Sequence, residues 1–272
     1  MKSIVIKPNK SLSLDLSEIW NYRELFYIFA WRDIKVRYKQ TLLGILWVIF
    51  QPITSTFIFT IFFGNLAKIP SGKLPYSLFV LSGLVFWNFF STSLSHASDS
   101  MVANENIIKK VYFPKIILPL SSVVVSFVDF IINMIILIIY ATILGYMPNI
   151  WSLVVFPIAI LVSAVTASGL GLFLASFNVK YRDVRHILPF FIQILLFLTP
   201  VIYPLSIVSE QNKLIMALNP MSSVIESVRM VFYNELLVSP RLILISLISS
   251  VSIFIGGIWY FKQTERFFAD IV

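Results

Sequence analysis

Asn104-Glu105-Asn106-Ile107-Ile108-Lys109-Lys110-Val111-Tyr112-Phe113-Pro114-Lys115 is a polar island between two long apolar runs. With three lysines, it has room for roughly three turns of helix before Pro114 stops it. Its flanks are too apolar for a soluble surface. The island is therefore either a passive loop or a handle offered to something outside a membrane. Of 272 residues, 58% are hydrophobic and 12% charged, and mean hydropathy is +0.88. Ordinary soluble domains are about 45–50% apolar and about 25% charged. The chain reads as an all-α polytopic membrane protein.

The remaining composition removes several function classes. A net charge of +8 points to cytosol-facing lysines and arginines and to anionic lipid, not to nucleic acid. Zero cysteines exclude disulfides and thiolate metal sites. Two histidines, His96 and His186, make a poor basis for a metal cluster. No Gly-x4-Gly-Lys-Ser/Thr phosphate loop occurs, so any ATP used must be hydrolysed by another chain.

A membrane span needs ~20 apolar residues. Six stretches qualify: Leu42–Phe63, Leu74–Leu94, Ile116–Leu144, Leu153–Phe177, Ile187–Tyr203 and Leu242–Phe261. Gln51-Pro52 predicts a kink in the first. The domains expected are a cytosolic segment with an interfacial helix over 1–41, the six-span body over 42–261 and a cytosolic tail over 262–272. An even number of spans places both termini on one side. Sixteen of the 21 lysines and arginines fall in the tails and in the loops after spans two and four. The positive-inside rule makes that side, and with it the polar island, cytosolic.

From Ser17 the pattern turns helical, with Ile19, Tyr22, Leu25, Phe26 and Phe29 at three- and four-residue steps. Arg32, Lys35, Arg37 and Lys39 crowd its far end, interleaved with Trp31 and Tyr38. Aromatic and basic residues on one helix favour the headgroup layer, although a stop-transfer cluster uses the same charges. Ser163, Ala167, Gly171 and Ala175 recur every fourth residue in span four, a stripe that lets another helix approach closely. Asp129 and Asn133 share a face of span three, where a carboxylate is costly unless hydrogen-bonded in the bundle. Between spans five and six, Val224, Ile225, Val228, Val231 and Phe232 take helical spacing, but Glu226 and Arg229 interrupt them. Such helices dip into the outer leaflet without crossing.

Several pieces carry a resemblance when taken in order. They are Trp31-Arg32-Asp33-Ile34-Lys35-Val36-Arg37-Tyr38, Leu43-Gly44-Ile45-Leu46-Trp47, Lys109–Lys115, Val179-Lys180-Tyr181-Arg182-Asp183-Val184, Thr199–Pro204 and Asn219-Pro220-Met221. With these, the chain resembles the permease subunits of bacterial ABC transporters that export lipid-linked polysaccharides: O-antigen, capsule and wall teichoic acid. The resemblance implies a homodimeric channel with two copies of a separate ATPase, which binds the ATP and magnesium. This chain would hold no cofactor and be non-catalytic. It also implies re-entrant helices between spans five and six, and a cytosolic coupling helix between spans two and three. The candidate coupling residues are Asn104, Glu105, Asn106, Ile107, Ile108, Lys109, Lys110, Val111 and Tyr112, with Ile107, Ile108 and Val111 for an apolar socket.

A polymer too long to enclose needs a continuous channel, and stacking on aromatic rings tolerates sliding. Trp47, Phe50 and Phe57 on span one and Phe190, Phe197 and Tyr203 on span five are the candidate lining. Arg32, Lys35 and Arg37 are candidates for contact with a lipid pyrophosphate or with anionic headgroups.

Overall fold

A computed structural model of the chain describes residues 16–39, 44–233, 239–265 and 268, and the described residues contain helices and no strand. The stretch before Leu16 and most of the expected tail beyond Glu265 lie outside them. Two helices, α1 (Leu16–Asn21) and α2 (Arg23–Lys39), precede α3 (Gly44–Phe59), which continues as a π-helix over Thr60–Leu66. Then come α4 (Tyr76–Ala103), α5 (Glu105–Ile108), α6 (Ile117–Ile143), α7 (Ser152–Lys180) and α8 (Val184–Leu198). Last are α9 (Glu210–Ala217), α10 (Pro220–Tyr233) and α11 (Pro240–Glu265).

Among the described residues, five helices are long and apolar enough to cross a membrane: α3 with its π-helical end, α4, α6, α7 and α11. The hub is α4. In its most apolar stretch 78% of residues are buried, against 11% for the stretch through α3. At 28 residues and ~1.5 Å per residue, α4 is longer than the ~30 Å hydrocarbon core. Several of its hydroxyls, those of Ser82, Ser91, Thr92, Ser95 and Ser100, turn back onto their own helix, as where Thr92 donates to the Asn88 carbonyl at 2.6 Å. In an apolar interior that satisfies a polar side chain without a partner helix. Helix α6 lies on one side of α4 and α7 on another, and α11 packs against α7. That last contact is nearly backbone to backbone. A Cβ on Gly169 would fall 2.6 Å from the Phe254 Cα, and Gly257 faces the Gly169 carbonyl.

The fifth apolar run differs from its expected extent of Ile187–Tyr203. Helix α8 stops at Leu198 and, at 15 residues, is too short to cross ~30 Å. Pro200 disfavours helical backbone at the residue before it, and Thr199 is extended, with ψ 140°. The segment after Thr199 is thus irregular backbone within the bundle, and its polar groups need partners. Arg229 of α10 supplies two. Its Nη1 donates to the Pro200 carbonyl and its Nη2 to the Val201 carbonyl, both at 2.7 Å. The Tyr76 hydroxyl donates to the Ile202 carbonyl at 2.7 Å, and Glu226 accepts from the Leu205 N–H at 2.8 Å. Arg229 also pairs with Glu226 at 3.1 Å and sits 3.5 Å from the centroid of the Phe79 ring. Gly83 leaves the guanidinium room, since a Cβ there would lie 3.0 Å from Nη2. The two charges that keep α10 from reading as a span are thus both buried, at 0% and 4% exposure.

Replacing Arg229 leaves the buried Glu226 carboxylate without a countercharge and the Pro200 and Val201 carbonyls without this donor. Arg229→Met is expected to cost about 3–5 kcal/mol, read as a fall in apparent unfolding temperature in detergent. A loss below about 1 kcal/mol would mean that water replaces the guanidinium.

Candidate functional site

One end of the bundle gathers most of the described positive charge; it holds α1, α2, α5, the end of α7 and the end of α11. Here α2 lies against α6 with its charged side facing α4, and the two sides of α2 do different work. Outward, Tyr27 and Trp31 are exposed; Tyr27 stacks on Trp31, and Lys35 Nζ lies 5.3 Å over the Trp31 ring. This side suits headgroups, where an apolar ring and a charged tip share one environment. Inward, Phe29 is buried against Phe113, 5.6 Å between ring centroids.

Arg32 and Arg37 point into an open cavity of about 740 Å³ between α2, α4 and α6. Arg32 forms an ion pair with Asp33 at 2.7 Å and donates to Asn104 Oδ1 at 2.8 Å. Arg37 pairs with Asp129 of α6 and approaches His96 of α4 at 3.3 Å. The Tyr38 hydroxyl donates to Asp129, and His96 Nδ1 lies 3.0 Å from the Ser126 hydroxyl. Burial and the neighbouring Asp129 push the Tyr38 phenol well above its ordinary range. The three basic candidates therefore separate: Arg32 and Arg37 line the cavity, and Lys35 faces outward with Trp31.

Asp129 has no basic residue near it in its own helix. Its partners come from α2, about ninety residues earlier in the chain. One signal was in the sequence: a carboxylate inside a span must find a donor, and α2 carries the densest group of donors. Beside this cluster a small cavity of about 40 Å³ is lined by Gln51, Asn88, Thr92 and Asn133 among others. The buried Asn133 Oδ1 has no hydrogen-bond partner among the described residues.

The polar island folds differently from the three turns expected. Only Glu105–Ile108 is helical, a single turn that follows the end of α4 at Ala103. Asn104 donates to the Ser100 carbonyl at 2.8 Å, binding this corner to α4. Beyond it, Pro114 disfavours helix at Phe113. Ile108 and Phe113 turn inward into an apolar cluster with Phe29, Met101, Phe261 and Phe268. Ile108 is 5% exposed and so, contrary to the expectation above, presents little surface to fill an apolar socket on a partner. Ile107 is half-buried at the edge of the same cluster. Asn106, Lys109, Lys110, Val111 and Tyr112 are the exposed residues of the island. Lys109 pairs with Glu105 at 2.6 Å, and this hydrogen bond holds the Glu105 carboxyl below its usual range. The Tyr112 hydroxyl donates to Glu18 of α1 at 3.3 Å; partial burial first, then Glu18, raise its phenol. Lys115 binds the C-terminal end of α11, its N–H donating to Glu265 at 3.2 Å. Three regions far apart in sequence thus form one knob.

The aromatic candidates lie on the least covered helices. Trp47, Phe50 and Phe57 of α3 and Phe190 and Phe197 of α8 are each more than half exposed, and Trp47 stacks on Phe50. Tyr203 lies past the end of α8, and its hydroxyl donates to the Phe197 carbonyl at 3.2 Å. Ser163, Ala167, Gly171 and Ala175 are all buried in α7, with Gly171 against Ala97 of α4.

The model of the ABC-2 type transporter family matches residues 24–233, from the start of α2 to the end of α10. The chain belongs to the ABC-2 type transporter family. This ABC-2 permease is 29% identical over 257 residues to the O-antigen export system permease protein RfbA of Myxococcus xanthus, covering 93% of this chain and 98% of that protein. It is 28% identical over 250 residues to a Klebsiella pneumoniae protein of the same name, covering 92% and 95%. The polysialic acid transport protein KpsM of Escherichia coli is 21% identical over 248 residues, covering 86% and 91%. With its apolar helices, family membership makes this ABC-2 transporter a multi-pass inner-membrane permease that associates with an ABC ATPase.

Burial separates two residues of the island. Ile108→Asp is expected to destabilise the permease by about 3 kcal/mol or more, and Val111→Asp to stay within about 0.5 kcal/mol. Thermal unfolding of the purified variants measures both.

Proposed function

We propose that this ABC-2 permease exports an undecaprenyl-linked polysaccharide, O-antigen in class, through a channel formed by two copies of the chain. The observation that carries the reading is alignment over 92–93% of the chain with O-antigen export permeases. A physical argument accompanies it. Helices α3 and α8 present Trp47, Phe50, Phe57, Phe190 and Phe197 on faces that the single chain leaves exposed. A second copy set against those faces encloses aromatic surface, on which apolar sugar faces stack while hydroxyls stay in water. Stacking has no fixed register, so a long polymer slides. The similarity to a polysialic acid transport protein supports a capsule polymer as the second reading.

In this reading the positively charged end lies in the cytosol with both termini, and α9 and α10 lie at the external mouth. Two ATPase subunits bind ATP and magnesium; this chain holds no cofactor and catalyses no reaction. Each ATPase seats on the knob at the exposed surface of the island, at Lys109, Lys110, Val111 and Tyr112. The one-turn α5, tied to α4 by Asn104 and to α1 by Tyr112, passes ATPase motion to both helices. Arg32 and Arg37 receive the pyrophosphate of the lipid carrier in the cavity, and Lys35 holds α2 in the headgroup layer.

Lys110→Glu with Val111→Asp is expected to abolish co-purification of the ATPase while leaving permease unfolding unchanged. Retained ATPase in that variant removes the docking assignment. Deletion of the gene is expected to leave polymer inside the cell; normal surface polymer in the deletion strain removes the export reading.

A further inference from the structure

Arg37 stands between two settings. It is the charge partner of Asp129 within the membrane and also part of the wall of the 740 Å³ cavity. That volume is within the range of about 300–1,000 Å³ typical of ligand sites. The charges facing the cavity have local partners. Asp33 is held by Arg32 at 2.7 Å, and Asp99 by Arg185 at 3.2 Å and by Asn178 at 3.1 Å. Arg37 differs because its carboxylate lies deeper than itself: the Asp129 side chain is 9% exposed and that of Arg37 30%. Turning the Arg37 guanidinium toward the cavity would leave Asp129 the Tyr38 hydrogen bond but no countercharge, a cost that favours the return of Arg37.

We infer that Arg37 exchanges between Asp129 and the diphosphate of a lipid-borne substrate, with Asp129 acting as the internal competitor that sets release. The inference rests on the export reading above and adds a mechanism to its cavity. An arginine grips a phosphate by paired charge-assisted hydrogen bonds, and a transport site that only gripped would hold its cargo. Asp129 offers the guanidinium an equivalent acceptor on the protein, so letting go of the diphosphate leaves no unpaired charge. Tyr38 moderates the competition by taking one hydrogen bond of the carboxylate. His96, at 3.3 Å from Nη1 and anchored by Ser126, flanks the swinging group on the α4 side.

This arrangement gives variants opposite signs. In the full-length permease in phosphatidylcholine nanodiscs, titrated calorimetrically with farnesyl diphosphate, Arg37→Gln is expected to weaken binding by roughly tenfold or more. Asp129→Asn removes the competitor and keeps the hydrogen bond, so it is expected to tighten binding by roughly tenfold and to slow export in cells. Tyr38→Phe leaves Asp129 more dependent on Arg37 and is expected to weaken binding by about threefold. Unchanged or weaker binding in Asp129→Asn overturns the exchange. If that variant does not fold, unchanged or tighter binding in Tyr38→Phe overturns it. Inorganic pyrophosphate bound as tightly as farnesyl diphosphate, or full displacement by phosphatidylglycerol in the nanodisc, overturns the lipid-diphosphate assignment. If the gene deletion spares surface polymer while the three signs hold, the export reading falls and the exchange stands.

Discussion

Backbone polar groups inside a bilayer must find partners within the protein, and in this chain the requirement is sharpest between Thr199 and Leu205. That segment has left its helix but remains within the bundle. Arg229 answers it with a buried guanidinium whose donors reach the Pro200 and Val201 carbonyls and whose charge is matched by Glu226. A guanidinium suits this position because its planar fork carries five donors and cannot lose its proton. Three other features follow from this contact: α8 can end short of the far side, α10 is drawn in against α4, and Gly83 must stay without a side chain.

At the opposite end a second ion pair is built on other terms. Arg37 and Asp129 join the helix before the first span to the middle of α6, at the wall of an open cavity. The Arg229 pair is sealed and surrounded by carbonyls, which is the behaviour of a structural pair. The Arg37 pair is half open and has an alternative direction in which to turn. Both are arginine–carboxylate contacts in a membrane protein, and what separates them is solvent access, not chemistry. The same contrast divides the island: Ile108 and Val111 are three residues apart and both apolar, yet one closes the internal knob and the other faces outward.

Much of this was legible in the chain. The spans were visible because ~20 apolar residues in a row have one physical solution, and α4, α6, α7 and α11 lie where hydropathy puts them. The steps from Ile19 to Phe29 read as one helix, and the structure breaks it at Tyr22 into α1 and α2. The small-residue stripe of α7 was visible, although the contact of Gly169 with Gly257 was not, since no spacing rule joins residues on different helices. The extent of the island helix was overestimated because polarity and length admit three turns. Inward packing of Ile108 and the constraint before Pro114 reduce them to one.

The sequence by itself determined the solvent of this protein, the number of apolar segments and the side on which positive charge collects, because these depend on local composition and on hydrophobic length. Only the tertiary structure decided which charges meet. Asp129 could be recognised as costly from its position in α6, but Arg37 and Tyr38 reach it through folding, not proximity in the chain. Likewise Glu226 and Arg229 marked α10 as a helix that does not cross, and folding turned that break into the support for α8 and its extension. An unpaired polar group in a membrane states a demand in the sequence; its partner is settled when helices distant in the chain pack side by side.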